Sequence, residues 1–275
     1  MLQDIIHMFV LFAILAVFLF PVLWNVIQSF THGGVIINPT LEAILVELNF
    51  GNYLHLFNPQ SPFFKFLANS LIIAGSTMII CGLLGSLAAY GLSCMTRVAL
   101  RENLRIWILS FRFLPPIAIV LPLFQMMTAL RLKDTHIGMI LTYTAFNIPL
   151  AVWLMYSFIR DLPPQMMEAA EVDGASRLRI FWRIVLPLTK GGLMVAMLFV
   201  FIFAWNEFQF ALVLTDFRAS TLPKALAGLT FSLITGPDWG IIGALASLMV
   251  VPVVVAAALI HKHISRGLTF GAVKG

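Results

Sequence analysis

The sequence predicts an all-α integral membrane protein with six transmembrane helices, and three observations support this fold class. Of the 275 residues, 60% are hydrophobic and only 11% are charged, against roughly 45–50% and 25% in soluble domains. Six apolar stretches are each long enough to cross a hydrocarbon core of about 30 Å as a helix. The alternation of lipid-facing and lumen-facing residues that is typical of membrane β-barrels is absent.

The first predicted span could be mistaken for a signal peptide. However, residues 1–7 contain no Lys or Arg, the apolar run is too long, and no small-residue cleavage site follows it. We therefore expect this helix to be retained. The six spans are predicted at residues 7–29, 67–92, 106–128, 137–158, 192–214 and 240–261.

The second predicted span is rich in small residues, which allow neighbouring helices to approach closely. They are Gly75, Ser76, Gly82, Gly85, Ser86, Ala88, Ala89 and Gly91. Prolines inside the spans predict kinks or breaks, which suit a protein whose helices move. They are Pro21, Pro115, Pro116, Pro122, Pro149 and Pro252.

The loop between the first two spans, residues 30–66, has an amphipathic middle from Leu41 to Leu48. This pattern predicts a short helix on the membrane surface. It would serve either as an ordered cap over neighbouring helices or as a docking surface for a partner.

The distribution of Lys and Arg predicts the orientation in the membrane. Eleven of the seventeen basic residues lie in the loops at 93–105 and 159–191 and in the tail after residue 261. Five lie on the opposite side: Lys65, Arg131, Lys133, Arg218 and Lys224. The richer side, with both termini, is predicted to be cytoplasmic. The net charge of +5 thus reflects topology rather than affinity for nucleic acid.

Motifs of catalysis and metal binding are missing. The chain has only two cysteines, Cys81 and Cys94, too few for a disulfide framework or a cysteine-based metal site. It has no Gly-x4-Gly-Lys-Ser/Thr phosphate loop, so it is not expected to be an ATPase itself. His-Glu-x-x-His and Gly-x-Ser-x-Gly are also absent. We therefore expect a protein without catalytic residues, metal or cofactor of its own.

The predicted cytoplasmic loop between spans four and five is far longer than a simple reversal needs. Pro163 and Pro164 indicate a helix start, and Gly174 indicates its end in a left-handed turn. A second helix is predicted to begin near Ser176 and to stop before Pro187, with Leu178, Phe181, Trp182 and Val185 on its apolar face. The hairpin is either a docking element or a purely structural one at the membrane surface.

The residues of this hairpin resemble the EAA motif of the permease subunits of binding-protein-dependent ABC importers. The match comprises Glu168-Ala169-Ala170, Gly174 after three further residues, Ile184 after nine more, and then Leu186-Pro187. The rest of the chain is similar to the carbohydrate-uptake branch, especially to the smaller maltose-type permease. The similar segments are Asn69-Ser70, Ala88-Ala89-Tyr90, Asp134-Thr135-His136, Trp205-Asn206-Glu207, Asp238-Trp239-Gly240 and the C-terminal run from Gly267 to Gly275.

This resemblance implies a type I ABC importer fold in a bacterial cytoplasmic (inner) membrane. The parts would be residues 1–66, a permease core at 67–261 with the hairpin at 161–187, and a tail at 262–275. The implied partners are a second homologous permease, a dimer of ATPase subunits that bind ATP and Mg, an external solute-binding protein and membrane lipid. The implied ATPase contacts are Glu168, Ala169, Ala170, Asp173, Gly174, Ala175, Leu186 and Pro187, and in the tail Gly271, Lys274 and Gly275.

Two charged residues fall inside predicted spans, Arg112 and Glu207, and such residues are candidates for function. They either line the solute pathway or make structural hydrogen bonds between helices. The full set of candidates for the pathway is Trp205, Asn206, Glu207, Gln209, Tyr143, Asn147 and Arg112. An alternative function is an ion-coupled secondary carrier with Glu207 as the coupling carboxylate. The solute itself is left open among sugars, oligosaccharides, polyols and glycerol-phosphate-like compounds.

Overall fold

A computed structural model of the chain describes residues 2–31, 49–230 and 237–268, and within these ranges the regular structure is helical without strands. The helices are α1 Leu2–Ser29, α2 Gly51–Phe57, α3 Phe63–Ser93, α4 Val98–Phe113, α5 Pro116–Ala129, α6 His136–Arg160, α7 Pro164–Val172, α8 Arg177–Leu188, α9 Lys190–Trp205, α10 Gln209–Leu214, α11 Leu222–Thr230 and α12 Trp239–Leu268.

Among the described residues, four helices are long and apolar enough to cross a membrane alone, which confirms the first, second, fourth and sixth predicted spans. These stretches are Ile6–Ser29, Phe63–Ser93, His136–Arg160 and Trp239–Ile260. The third predicted span is broken between α4 and α5, as Pro115 and Pro116 predicted, and the fifth predicted span is interrupted between α9 and α10. Helices α4 and α5 meet at 87°, and α8 and α9 meet at 81°. The number of candidate spans reaches six when each bent pair is counted as one.

The break in the third span has a covalent cause. Pro115 and Pro116 lack the N–H groups that would continue the helix, and each disfavours helical geometry in the residue before it. Leu114 and Pro115 are accordingly extended, with ψ angles of 121° and 128°. Pro21, Pro122, Pro149 and Pro252 lie inside helices that continue past them, so none of these four prolines breaks its helix.

The described residues form two compact units. In the first, composed of residues 1–65 and 225–253, α1 packs closely on the start of α12. Asn25 donates hydrogen bonds to the carbonyl of Gly243 and to Ser247 Oγ, both at 3.3 Å. A Cβ atom on Gly243 would lie only 3.0 Å from the Asn25 carbonyl oxygen. Asn52 of α2 donates to the carbonyl of Ser29, which ties α2 to the end of α1.

The second unit, composed of residues 66–224 and 254–275, has its core where α3, α6, α8 and α9 meet. The buried residues of this core are Ala89, Tyr90, Leu92, Val152, Met155, Tyr156, Ile159, Ile180, Phe181, Val185 and Ala196. The second arm of the hairpin is therefore part of the protein core.

The expectation of close helix contacts along α3 is confirmed at two glycines. A Cβ atom on Gly85 would lie 2.6 Å from Cβ of Ala151 on α6, and one on Gly82 would lie 2.8 Å from Met197 on α9. Gly75 and Gly91 face open space, with nothing within 4 Å of such an atom. The small residues therefore serve packing in the middle of α3 and not along its whole length.

Some predictions lie outside the described residues. They are the amphipathic segment Leu41 to Leu48 and the tail residues Gly271, Lys274 and Gly275. The orientation of the termini and the division of the chain at residues 66 and 261 stay predictions.

We expect Gly85→Val to destabilise the protein and Gly91→Val to change its stability little. The first variant forces a side chain against α6, and overpacking of this kind costs about 1–3 kcal/mol. Both variants carry the same change in helix propensity, so Gly91→Val is the matched control. Thermal unfolding of the detergent-solubilised protein measures the difference, and equal losses in the two variants would contradict the close packing of α3 on α6.

Candidate coupling hairpin and membrane pocket

The first arm of the hairpin and its turn have the predicted form. Pro164 occupies the first position of α7, where its missing N–H is not needed. Gly174 has φ +76°, in the left-handed region. Its N–H donates to the carbonyl of Glu171, and that of Ala175 donates to the carbonyl of Ala170, both at 3.0 Å. This pair of bonds is a Schellman motif, which satisfies the last carbonyls of α7 and favours glycine.

The second arm begins as predicted, because Ser176 accepts a hydrogen bond from the N–H of Arg179 at 3.4 Å. The predicted apolar face is half wrong. Phe181 and Val185 are completely buried, but Leu178 is 60% exposed and Trp182 is 47% exposed. Apolar residues lie on more than one face of α8, so their spacing alone does not show which face is buried.

The predicted stop before Pro187 is also wrong, since α8 continues to Leu188. A π turn spans Phe181–Val185, and the N–H of Leu186 bonds to the Phe181 carbonyl five residues back. The wider turn leaves space for the ring of Pro187, which has no N–H to place.

The two arms of the hairpin differ in burial. In the first arm, α7 contains no buried residue, and Glu168, Ala169 and Asp173 are exposed. In the second arm, the ring centroid of Phe181 lies 5.6 Å from that of Tyr90 on α3. The predicted ATPase contacts from Glu168 to Ala175 thus lie together on α7 and its turn. Leu186 and Pro187 lie about three helical turns away, at the far end of α8.

Deeper in the same unit, a cavity of about 330 Å³ lies beside both broken spans. Six of the seven predicted pathway residues line it: Arg112, Tyr143, Asn147, Asn206, Glu207 and Gln209. The seventh, Trp205, does not; it is only 1% exposed and stacks on Phe201. Sequence reasoning missed the rest of the lining: Pro116, Phe146, Phe203, Phe208 and Phe210.

The cavity lies at the middle of α6. Tyr143 and Asn147 are about 10 and 16 Å along a helix that is about 37 Å long, at 1.5 Å per residue. The polar side chains of the cavity lie within predicted membrane spans, where unpaired polar groups are costly.

Two polar side chains of the cavity have unused hydrogen-bonding capacity. Arg112 donates to the carbonyl of Phe146 at 3.3 Å, and its guanidinium lies 4.3 Å from the ring centroid of Phe203. No carboxylate of the described chain is within ion-pair distance of it. Asn147 donates to the carbonyl of Tyr143 at 2.8 Å, but its Oδ1 is buried without a partner. The pair therefore offers unused N–H donors and a buried acceptor.

Glu207 caps the helix that follows it. Its Oε1 accepts the N–H of Phe210 at 3.0 Å, and its Oε2 accepts that of Ala211 at 3.3 Å. This competition for backbone N–H groups explains the break between α9 and α10. The sequence signal for this cap is an acidic residue just before a short apolar run.

Comparison with known proteins identifies the class of this chain. The family described as "Binding-protein-dependent transport system inner membrane component" matches residues 81–270. The chain belongs to this family. It is 36% identical over 262 residues to the trehalose/maltose transport system permease protein MalG of Thermococcus litoralis, covering 94% of this chain and 92% of that one. It is 36% identical over 258 residues to the trehalose transport system permease protein SugB of Mycobacterium tuberculosis, covering 94% and 93%.

Solved structures agree with the fold of this permease. The crystal structure of a bacterial ABC transporter that imports the acidic polysaccharide alginate has a TM-score of 0.75 at 22% identity, covering 95% of this chain and 96% of that one. The same kind of transporter in complex with an alginate pentasaccharide-bound periplasmic protein has a TM-score of 0.65 at 18% identity, covering 97% of both chains. The all-α importer fold is thereby confirmed.

Membership in the family decides between the two functions that the sequence left open. The protein is a multi-pass inner membrane permease of an ATP-driven importer, not an enzyme and not an ion-coupled carrier. The geometry of Glu207 is that of a helix cap, since both carboxylate oxygens accept backbone N–H groups. Among the described residues, no cluster of His, Cys, Asp and Glu could hold a metal ion.

At the end of α6 opposite to the hairpin, one aspartate organises two loops, and the sequence assigned it no role. Asp134 has φ +55°. Its carboxylate accepts four backbone N–H groups at 3.0–3.3 Å, those of Asp216, Phe217, Arg218 and Ala219. We call these five residues the Asp134 clamp. Partial burial opposes ionisation, but the four donors outweigh it and lower the pKa of Asp134.

Polar side chains on three elements reinforce the Asp134 clamp. Asn69 of α3 donates to the carbonyls of Arg218 and Ser220 at 2.9 and 2.8 Å, and its Oδ1 accepts from His136 Nε2 at 2.7 Å. Lys133 forms a 3.0 Å ion pair with Asp216. Lys224 donates to the carbonyl of Thr215, and its desolvation lowers the pKa of its amine despite the nearby acids. The clamp thus joins the ends of four spans.

We expect Asp134→Asn to lower the stability at neutral pH and to remove part of the acid sensitivity. A lowered folded-state pKa means that ionised Asp134 stabilises the fold above the ordinary value of about 3.9, and that this stabilisation is lost as the pH falls through the lower folded-state pKa. Thermal unfolding from pH 7 to pH 3 measures this, with Asp161→Asn as a control at an exposed aspartate. Identical pH profiles for wild type and Asp134→Asn would contradict the role of the carboxylate.

Proposed function

We propose that this permease imports a saccharide by alternating access, as one of two homologous permease subunits that share a dimer of separate ATPase subunits. The saccharide is supported by the relatives, since MalG is named for trehalose and maltose and SugB for trehalose. ATP and Mg bind to the ATPase and not to this chain. An external solute-binding protein delivers the solute, and lipid surrounds the spans.

We propose that the hairpin is the coupling element, and its geometry is the observation that carries the proposal. One face of the first arm is exposed, with Glu168, Ala169 and Asp173 available to a partner, and Met167 and Ala170 pack against the core. The small side chain of Ala169 leaves space for close approach by another protein. The second arm buries one face against α3, α6 and α9. A partner that moves the first arm therefore moves these three helices with it.

The turn at Gly174 keeps the two arms in a fixed relation. The two backbone hydrogen bonds that end α7 hold Gly174 and Ala175 directly to the helix. Any L-residue at this φ of +76° is strained, by roughly 1–2 kcal/mol. ATP-driven closure of the ATPase dimer can shift the transport equilibrium only through contacts that differ between its states, so a firm connection is required.

We expect Gly174→Val and Glu168→Arg to abolish uptake and solute-stimulated ATP hydrolysis while leaving the membrane fold intact. The first variant distorts the turn, and the second places a cation where the resemblance implies an acidic contact with the ATPase. Gln165→Arg is the matched control, because Gln165 is exposed on the same helix but outside the motif.

The measurement is uptake and ATP hydrolysis by the full importer in proteoliposomes, with thermal unfolding as the check of the fold. Unchanged solute-stimulated hydrolysis in Gly174→Val would contradict the coupling role. Uptake that runs on a proton gradient without the ATPase subunit would contradict the importer itself.

We also propose that the cavity at the middle of α6 is part of the solute pathway. Its aromatic walls, Tyr143, Phe146 and Phe203 among them, suit the apolar faces of a sugar ring. Arg112 has N–H donors to spare for hydroxyl oxygens. Asn147 Oδ1 has no partner, and a buried acceptor without a donor costs about 1–3 kcal/mol, which a solute hydroxyl would relieve.

We expect Arg112→Gln and Asn147→Leu to reduce the uptake of trehalose or maltose about tenfold, which is the loss that one hydrogen bond of about 1.4 kcal/mol produces. Stimulation of ATP hydrolysis by the binding protein should persist, since the hairpin is untouched. Thr144→Val is the control, because Thr144 is a buried residue of α6 whose hydroxyl has no partner and does not line the cavity. Wild-type uptake in both variants would exclude a solute contact at this cavity.

A further inference from the structure

Two loops at the end of α6 opposite to the hairpin carry exposed basic side chains. The first loop follows α5 and ends at His136, where α6 begins; the second lies between α10 and α11. Helix α6 separates them from the hairpin by 25 residues, about 37 Å. If the hairpin faces the cytoplasmic ATPase, these loops face outward, so the inference rests on the proposed function.

Backbone geometry and hydrogen bonds hold these two loops in one defined conformation. Arg131 and Asp134 both have positive φ angles, 57° and 55°, which residues other than glycine rarely adopt. The four N–H bonds to Asp134 hold the second loop against the first. Gly138 approaches the carbonyl of Leu132 so closely that a Cβ atom would clash with it. Backbone strain of this kind persists where surrounding contacts hold it, and it often marks a binding site.

This surface carries an excess of positive charge, because, in the part of the chain that the structure describes, its acids are engaged and two arginines are not. Among the acids of the two loops, Asp216 is paired with Lys133, and the carboxylate of Asp134 is covered by backbone N–H groups. Arg131 and Arg218 are both exposed, and neither has an ion pair within the described chain. Phe217, directly before Arg218 in the clamped segment, is 56% exposed, and its ring centroid lies 5.8 Å from that of Phe66. Arginine and aromatic side chains are the residues that most often dominate protein interfaces.

We infer that Arg131, Phe217 and Arg218 form a docking surface for an acidic patch on the external solute-binding protein, with Asp134 as the positioning residue. The two arginines attract the acidic partner and set its orientation. Phe217 supplies an apolar contact beside Arg218. A membrane surface requires only clustered cations, without a fixed shape. The strained and clamped loops therefore favour a protein partner over lipid headgroups.

The test uses the complete importer in nanodiscs of neutral phosphatidylcholine, with ATP hydrolysis measured against the concentration of its solute-loaded binding protein. The double variant Arg131→Glu/Arg218→Glu should raise the half-saturating concentration at least tenfold at low salt, while the rate at saturation stays near wild type. Arg131→Lys/Arg218→Lys keeps the charges and should restore most of the affinity. Salt should weaken docking in the wild type and much less in the glutamate variant.

Asp134→Asn should also raise the half-saturating concentration without lowering the rate at saturation, because it disturbs the docking surface and not the hairpin. An unchanged half-saturating concentration in the glutamate variant would overturn the inference. So would an effect of the arginines that appears only when anionic lipid is added, since this would assign them to headgroups. If the wild-type importer is not stimulated by any solute-loaded binding protein, the proposed function fails as well.

Discussion

The burial of Ile180, Phe181 and Val185 is the interaction on which the rest of the structure depends. These side chains fill the space between α3, α6 and α9, and all three are at most 1% exposed. Each is worth about 1.5–3 kcal/mol in buried apolar surface. The second arm of the hairpin thus belongs to the core. In the proposed coupling mechanism, a movement of the first arm is passed to the helices of this core.

Two helices connect this anchor to the cavity. Helix α9 begins at Lys190, directly after the hairpin, and ends at Trp205, next to the lining residue Asn206. Helix α6 ends at Arg160 beside the hairpin and carries Tyr143 and Asn147 at its middle. In the proposed mechanism, a movement of the core reaches the cavity through these two helices. The Asp134 clamp joins the far ends of the same spans, so these spans are tied together at both ends.

The span positions and the hairpin could be predicted, because they depend on residues that are close together in the sequence. Span positions follow from hydropathy, and the hairpin follows from Pro164, Gly174 and Ser176, whose effects act within one turn. Interactions between distant residues were not predictable. Asp134 accepts hydrogen bonds from N–H groups more than 80 positions away in the sequence, and no pattern in the neighbouring residues predicts these bonds. The buried face of α8 depends on packing against three other helices, and the spacing of its apolar residues alone did not identify this face.

The position of Glu207 shows that a structural role and a role at the cavity are compatible. Its carboxylate binds the first free N–H groups of α10, which stabilises the gap between α9 and α10. That gap forms one wall of the cavity, so the carboxylate that caps α10 also shapes the proposed solute pathway. In the proposed mechanism, the energy for transport enters at the exposed arm of the hairpin, and Glu207 serves the structure of the cavity wall.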